Sequence, residues 1–260
     1  MTGEPEDAMA VSPSRLDELR DRTQARISLG AVGSGVPTHA ALRFNLDHAR
    51  AREAVWTGMD AAALRKALGP IGESAIEVYS AASDRAEYLR RPDLGRTLSQ
   101  DSRKALQAAG GQRGFDIALV VADGLSATAV ALNAAPLATA LADKASAAGW
   151  TMAPVVIAHQ ARVALGDWIG AELDARCVVV LVGERPGLSA ADSLGAYVTF
   201  GARPGTPDSG RNCVSNIRSG GLPVDDAATQ IAGLITLMMA QKISGVRLKR
   251  QDLLTQGQPG

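Results

Sequence analysis

The polar segment V-G-E-R-P-G-L-S at residues 182–189 follows a short apolar run and contains a candidate ligand-binding carboxylate. Pro186-Gly187 fits the two central positions of a type II turn. Ser189 and Asp192 have capping-box spacing, which predicts a short helix. Glu184 would then lie at the edge of a sheet, where two interpretations stay open. Its carboxylate either pairs with a nearby arginine in a satisfied turn or accepts hydrogen bonds from a ligand.

Two other polar segments could face the same cleft. Asp123 closes an earlier apolar run and precedes Ser126, so a turn followed by an N-cap explains both residues, and a cleft-facing Asp123 is the alternative. Cys213 lies in R-N-C-V-S-N-I at residues 211–217. A lone cysteine is usually a small buried hydrophobe, and no histidine lies nearby in the sequence to activate this one. We therefore expect Cys213 not to act as a nucleophile.

The remaining chemistry-bearing residues form no known catalytic or metal-binding pattern. His39, His48 and His159 are isolated, and the sequence has neither H-x-x-x-H nor C-x-x-C, so we expect no metal site. The G-x-S-x-G, P-loop and G-x-G-x-x-G signatures are also missing. This combination is typical of a subunit that binds a ligand or partner while the chemistry happens elsewhere.

Short apolar runs alternate with helical segments in the second half of the chain. This pattern predicts an α/β fold with a Rossmann-like doubly wound, mainly parallel sheet covered on both faces. Loops that start near Asp123, His159 and Gly183 leave its carboxyl edge and should converge there. Pro136 should break or kink the first long helix. The apolar runs lie at residues 117–122, 154–158, 177–182 and 196–200, and the helical segments at about 126–148, 162–173 and 225–244.

The first half of the chain is predicted to be mostly helical. Cap residues place helix starts at Ser12, Thr38, Asp60 and Asp93, and the last of these helices should reach Gly110-Gly111. Residues 75–79 alternate weakly and are a candidate strand. The resulting domain prediction is a flexible tail at 1–11, an N-terminal helical region at 12–112, the Rossmann-like domain at 113–248 and a second tail at 249–260.

Composition excludes several classes of protein. The 260 residues include 27 acidic and 27 basic side chains, so the chain lacks the basic excess of a general nucleic-acid or membrane-surface binder. No apolar run approaches the roughly 20 residues of a membrane-spanning helix. The acidic start does not look like a secretory signal, and two cysteines suit a reducing compartment. We therefore expect a cytoplasmic protein that binds neither nucleic acid nor membranes.

Several segments together carry a resemblance to one family, in the family's order and at close to its spacing over about residues 12–248. The chain resembles the small (light) subunit of adenosylcobalamin-dependent ethanolamine ammonia-lyase. The matching segments are R-P-D-L-G-R at 91–96, V-A-D-G-L-S at 121–126, R-V at 162–163, G-D-W-I-G at 166–170, V-G-E-R-P-G-L-S at 182–189, D-S-L at 192–194 and R-N-C-V-S-N-I at 211–217.

The resemblance implies a cofactor, a partner and a set of contacts. The cofactor is adenosylcobalamin (coenzyme B12), held between this chain and the large catalytic subunit in a hetero-oligomer. The implied cofactor contacts are Val163, Glu184 and Cys213. Val163 and Glu184 lie on loops already expected at the carboxyl edge, whereas the residue pattern alone does not place Cys213 there. The implied reaction is radical deamination of ethanolamine to acetaldehyde and ammonia, with the substrate-binding residues on the large subunit. No catalytic residue or metal ligand is therefore assigned here.

Three further expectations follow from departures and alternatives. No histidine lies in the D-x-H-x-x-G context that ligates cobalt, so we expect the corrinoid to keep its own dimethylbenzimidazole ligand. The short acidic N-terminal tail leaves both a free cytoplasmic location and a bacterial microcompartment open. A non-catalytic assembly module with the same Rossmann-like fold is the alternative function. A nucleotide-binding oxidoreductase would need the missing glycine fingerprint.

Overall fold

The computed structural model describes residues 19, 23, 25–27, 29–31, 33–109 and 114–248. The predicted tails at 1–11 and 249–260, the helix start at Ser12 and the end at Gly110-Gly111 lie outside these residues. The elements are α1 (Thr38–Trp56), α2 (Ala61–Ala67), α3 (Pro70–Glu73), β1 (Ile76–Tyr79), α4 (Arg85–Arg90), α5 (Gln100–Ala109), β2 (Ile117–Ala122), α6 (Ala127–Ala147), β3 (Val156–His159), α7 (Leu165–Leu173), β4 (Cys177–Gly183), β5 (Leu194–Phe200), β6 (Asn212–Ile217) and α8 (Val224–Gln241).

The strands form one six-stranded sheet in the order β1-β3-β2-β4-β5-β6. Neighbours from β1 to β4 are parallel, whereas β5 is antiparallel to β4 and β6 is antiparallel to β5. The predicted α/β class with a mainly parallel sheet is therefore confirmed. β1 comes from the region 12–112 and the other strands from 113–248, so both predicted regions contribute to the sheet.

The sheet separates two apolar cores. Val179 and Leu181 of β4 face the core formed with α6 and α8, whereas Val178 and Val180 face the core formed with α7. All seven residues of β4 are buried, as expected for a central strand with both faces covered. The continuous apolar run that predicted this strand is thus explained by burial on both sides.

Two glycines bring α7 close to β4. A Cβ at Gly166 would collide with Val180, and a Cβ at Gly170 would collide with Val178. The absence of these side chains lets the helix backbone approach the strand directly. The G-D-W-I-G segment therefore fixes the start of α7, and with it the loop that precedes this helix.

Residue contacts divide the chain into two units, Met1–Arg50 and Ala51–Gly260. Within the first, Arg26 forms an ion pair with Asp47 at 2.6 Å and lies over the ring of Phe44 at 5.5 Å. The second unit contains the sheet. No helix in the described ranges is both long and apolar enough to cross a membrane.

The helix predicted from Asp93 is wrong at its start. Residues Leu94–Arg96 form one 3-10 turn, and the chain then becomes extended until α5 begins at Gln100. Backbone hydrogen bonds from Ala81 N to the Thr97 carbonyl (2.8 Å) and from Ser99 N to the Tyr79 carbonyl (3.1 Å) hold the extended segment. Pairing with the end of β1 therefore overrides local helix propensity.

Pro136 does not break α6, which runs continuously from Ala127 to Ala147. Proline removes the hydrogen bond to the carbonyl of the residue four positions earlier, here Leu132. Pro136 and Leu132 are both exposed, so solvent can hydrogen bond to that carbonyl instead. The prediction of a break at this proline is wrong for this reason.

Candidate functional site

The carboxylate of Asp123 joins the loops at the carboxyl edge of the sheet. It accepts hydrogen bonds from Gln160 N (2.9 Å), Ala161 N (3.0 Å) and Arg85 Nη1 (3.1 Å), and Asp123 is only 3% exposed. Burial raises the pKa of this carboxyl, whereas its hydrogen bonds and Arg85 act in the opposite direction. Asp123 is therefore a buried structural residue, and the alternative that it faces the cleft is wrong.

Close glycine packing joins the loop after β2 to the end of β4. Leu125 N donates to the Gly183 carbonyl at 2.9 Å. A Cβ at Gly183 would collide with the backbone of Ser126, and a Cβ at Gly124, whose φ is +56°, would collide with Gly183. The predicted convergence of the loops after β2, β3 and β4 is thus confirmed, and Glu184 follows this contact directly.

Ser126 forms the predicted N-cap and also holds the loop that contains Glu184. Its Oγ accepts a hydrogen bond from Ala129 N (3.1 Å) and donates one to the Ala191 carbonyl (2.7 Å). Asn133, seven residues further along the chain in α6, donates to the Asp192 carbonyl at 2.9 Å. The segment before β5 is therefore attached to α6 by side chains.

Two local predictions for this loop are wrong. Gly187 does not have the positive φ that a type II turn requires, and the loop closes instead through paired hydrogen bonds between the backbones of Gly187 and Ala190. Ser189 opens no helix, because residues 188–193 form only bends and a turn. Hydrogen bonds from Ser126 and Asn133 instead hold the carbonyls of Ala191 and Asp192 in this non-helical path.

Glu184 lies against the first residues of β5. Its backbone N–H donates to the Ser193 carbonyl (3.0 Å), and its carboxylate accepts a hydrogen bond from Ser193 Oγ (2.5 Å). A Cβ at Gly195 would lie 2.8 Å from Glu184 Oε1, so the carboxylate rests where a side chain would otherwise project. Glu184 is half-buried, and a hydroxyl partner orients its carboxylate toward this face of the sheet.

Cys213 lies on the same face of the sheet as Glu184. It is directly opposite Tyr197, which is two residues beyond Gly195 on β5. Side chains two residues apart on a strand share a face. Cys213 is exposed, so the expectation of a buried cysteine is wrong for it, whereas Cys177 in β4 is fully buried.

Val163 belongs to the same side of the sheet. It lies in the loop between β3 and α7, is half-buried, and packs against the α7-side core, as Tyr197 does. Three separate segments thus bring their residues to the α7 side of the sheet, namely Val163, Glu184 and Cys213. Beyond α7, the β5–β6 part of this face includes exposed strand residues such as Cys213 and Ser215.

Tyr197 is a site residue that sequence reasoning missed. Burial, and after it the neighbouring Cys213 and Glu184, raises the pKa of Tyr197 to about 12, so the phenol stays protonated near neutral pH. The alternation along β5 places Tyr197 and Gly195 on one face. That signal could have identified Tyr197 only if β6, which brings Cys213 beside it, had also been predicted.

A buried ion pair joins α7 to the start of β6. Arg211 donates to Asp167 through Nη1 (2.6 Å) and Nη2 (2.8 Å), and the two side chains are only 4% and 3% exposed. Burial raises the pKa of Asp167, whereas the hydrogen-bonded guanidinium acts in the opposite direction. Because Arg211 lies two residues before Cys213, this pair fixes the strand that carries Cys213.

The arrangement is suited to binding. It offers a carboxylate, a phenol and a thiol on one strand face, with an apolar residue at the rim. Within the described part of the chain, no group of three or more His, Cys, Asp and Glu residues could hold a metal ion.

Comparison with known proteins gives a consistent result. A model of the family described as "Ethanolamine ammonia-lyase light chain (EutC)" matches residues 13–249. The ethanolamine ammonia-lyase small subunit of Rhodopseudomonas palustris (strain BisA53) is 51% identical over 239 residues, covering 92% of this chain and 91% of the relative. Those of Bradyrhizobium diazoefficiens and Ralstonia nicotianae are 52% and 47% identical, covering 90% and 96% of this chain and 90% and 93% of the relatives.

Proposed function

The chain belongs to the ethanolamine ammonia-lyase light-chain family, which makes it a subunit of a lyase, and on this basis we propose that it forms one side of an adenosylcobalamin site completed by the large subunit. In this proposal the complex converts ethanolamine to acetaldehyde and ammonia by a radical reaction. The chain contributes Val163, Glu184 and Cys213 as binding residues, and the large subunit contributes the substrate-binding residues.

The observation that supports this proposal is the shared face of β5 and β6. Glu184 lies over Gly195, and Cys213 lies beside Tyr197, so a carboxylate, a thiol and a phenol lie along one strip of the β5–β6 face. A flat macrocycle with polar substituents can lie against such a strip. Neutral amides, which surround a corrin ring, both donate and accept hydrogen bonds and so fit a carboxylate, a phenol and a thiol.

Each residue of this site has a binding or positioning role. The Glu184 carboxylate accepts a hydrogen bond from an amide of the cofactor, and the Ser193 hydroxyl holds that carboxylate in place. The protonated Tyr197 phenol can donate a hydrogen bond, and Val163 excludes water at the rim. When bound, adenosylcobalamin supplies the organic radical by homolysis of its cobalt–carbon bond.

The two cysteines are compatible with a reducing compartment. We accordingly place the complex in the cytoplasm, either free or inside a bacterial microcompartment. Its subunits form a hetero-oligomer of small and large chains.

Reconstitution with the large subunit tests the proposal. We expect the isolated chain to be inactive and to bind corrinoids weakly, because half of the site is missing. The two subunits with adenosylcobalamin should release acetaldehyde from ethanolamine. If the large subunit binds corrinoids equally well with and without this chain, the chain is an assembly module instead. Turnover by this chain alone would also contradict the proposal.

A further inference from the structure

Arg162 has a side chain held by packing in the loop between β3 and α7. It immediately precedes Val163, and the carbon at the centre of its guanidinium lies 4.5 Å from the ring centroid of Tyr88. Tyr88 is fully buried and donates a hydrogen bond from its hydroxyl to the Ala161 carbonyl at 3.2 Å. A Cβ at Gly95 would lie 3.0 Å from Arg162 Cγ, so the aliphatic stem is also enclosed.

The guanidinium of Arg162 nevertheless has no hydrogen-bond acceptor among the residues that the structure describes. Its Nε is buried without a partner, and no described residue accepts a hydrogen bond from its two Nη atoms. Arg85, stacked on the same Tyr88 ring at 4.9 Å, donates to the Val55 carbonyl and to Asp123. Buried or half-buried guanidinium groups are normally paired, so Arg162 is an exception that needs a physical reason.

The charge around Tyr88 is unbalanced. Arg85, Arg162 and Asp123 are the charged groups that act on its phenol. Two guanidinium groups face one carboxylate, and that carboxylate already accepts three hydrogen bonds. The next element, α7, begins at Leu165, and its N-cap Ala164 supplies no side-chain acceptor. The positive end of this helix dipole therefore adds to the local positive potential.

We propose that Arg162 binds the phosphodiester of the cofactor's nucleotide loop. The inference rests on the proposed function, because it assumes that a cobalamin occupies the site beside Val163. The corrin side chains of a cobalamin are neutral amides, whereas the phosphodiester carries a negative charge. The planar guanidinium suits two oxygens of a phosphate, and its stacking on Tyr88 reduces the side-chain entropy that binding would cost.

Binding of matched corrinoids to the complex with the large subunit tests this assignment. Cobinamide lacks the nucleotide loop, and a cobamide with a phenol base keeps the phosphodiester but has no base to coordinate cobalt. We expect Arg162→Gln to weaken binding of cobalamin and of the phenolic cobamide by about 10- to 100-fold, the range for a hydrogen bond to a charged group. Cobinamide affinity should change by less than about twofold.

Two further variants complete the test. Arg162→Lys keeps the charge but not the planar pair of donors, so it should recover only part of the lost cobalamin affinity. Arg176→Gln makes the same charge change at the start of β4, where Arg176 pairs with Asp116 at 2.9 Å, and should leave all three affinities unchanged. Because cobinamide binding is measured on the same variant, it also reports whether the site is still folded.

Three outcomes would overturn the assignment. Equal losses for cobalamin and cobinamide would show that Arg162 supports the loop or contacts another part of the ligand. Unchanged cobalamin affinity would show that it contacts no anion of the cofactor. Weakened association of the subunits without any corrinoid would assign Arg162 to a carboxylate of the large subunit. A wild-type complex whose corrinoid binding does not depend on this chain would instead contradict the proposed function itself.

Discussion

The carboxylate of Glu184 occupies the space above Gly195. Any other residue at position 195 would place its own Cβ in that space. That Cβ would lie 2.8 Å from Glu184 Oε1 and 3.2 Å from Cγ. Gly195 is therefore part of the site although it contributes no side chain, because the missing Cβ leaves the space in which the Glu184 carboxylate lies.

Gly195→Ala should displace Glu184 and weaken corrinoid binding by the complex about tenfold, with only a small loss of stability because the added Cβ meets the end of a flexible, half-buried side chain. Titration calorimetry and thermal unfolding measure the two effects. Gly233→Ala in α8 is the matched control, because a Cβ there meets nothing within 4 Å. An alanine at 195 that leaves corrinoid affinity unchanged would show that the position of Glu184 does not matter.

Glu184→Ala should weaken cofactor affinity in the complex by about 1–3 kcal/mol if the carboxylate accepts a buried hydrogen bond from the ligand. The unfolding free energy of the isolated chain should change less, because Glu184 is only half-buried. Ser193→Ala keeps the carboxylate but removes its hydrogen-bond partner, so its effect on affinity should be smaller. Unchanged affinity in Glu184→Ala would remove this residue from the site.

Breaking the buried pair of Asp167 and Arg211 should destabilise the chain strongly. Asp167→Asn or Arg211→Met leaves one buried polar group without its charged partner, which typically costs about 3–5 kcal/mol. Urea unfolding of both single variants and the double variant gives the coupling energy, expected at about 0.5–3 kcal/mol. Additive effects of the two substitutions would mean that the pair does not act as a unit.

The two cysteines should differ sharply in reactivity. Cys213 is exposed on β6, whereas burial raises the pKa of the Cys177 thiol to about 12 and leaves it inaccessible. A thiol reagent at neutral pH should therefore modify Cys213 and spare Cys177 in the folded chain. Bound cobalamin in the complex should slow the modification of Cys213. Equal rates with and without the cofactor would place the ligand away from β6.

Asp116 should make stability depend on pH in the acid range. The Thr151 backbone N–H, and after it Arg176, lowers the pKa of Asp116 below its ordinary value. A depressed folded pKa adds stability that is present above the unfolded value near 4 and is lost as pH falls through the folded value. Asp116→Asn should therefore flatten the loss of stability on acidification below about pH 4. An unchanged slope in denaturant unfolding would contradict this.

The strand ends of this fold were predictable, and several contacts between distant segments were not. Asp123, His159 and Gly183 each close a buried apolar run, and parallel strands must bring such ends to one edge. β6 was missed because its residues N-C-V-S-N-I are polar and half exposed, so no apolar run marks it. Its antiparallel pairing with β5 is what carries Cys213 onto the face shared with Glu184.

Side-chain contacts across long sequence separations explain the remaining differences. Arg211 and Asp167 are 44 residues apart, and no local pattern pairs them. The loop before β5 adopts no helix because Ser126 and Asn133 of α6 hold its carbonyls. Tyr197 gains its place in the site only through Cys213. In each case a tertiary contact determines a local conformation or a residue pairing that helix propensity and residue spacing do not specify.

The close packing of α7 on β4 determines which parts of the molecule can move when a ligand binds. Moving Arg162 and Val163 outward would require α7 to separate from β4. That separation would expose the buried Val178 and Val180 to water and would strain the salt bridge between Asp167 and Arg211. This rim therefore behaves as a rigid template. In the proposed complex, we therefore expect the movement that admits the cofactor to come from the segments that face this rim.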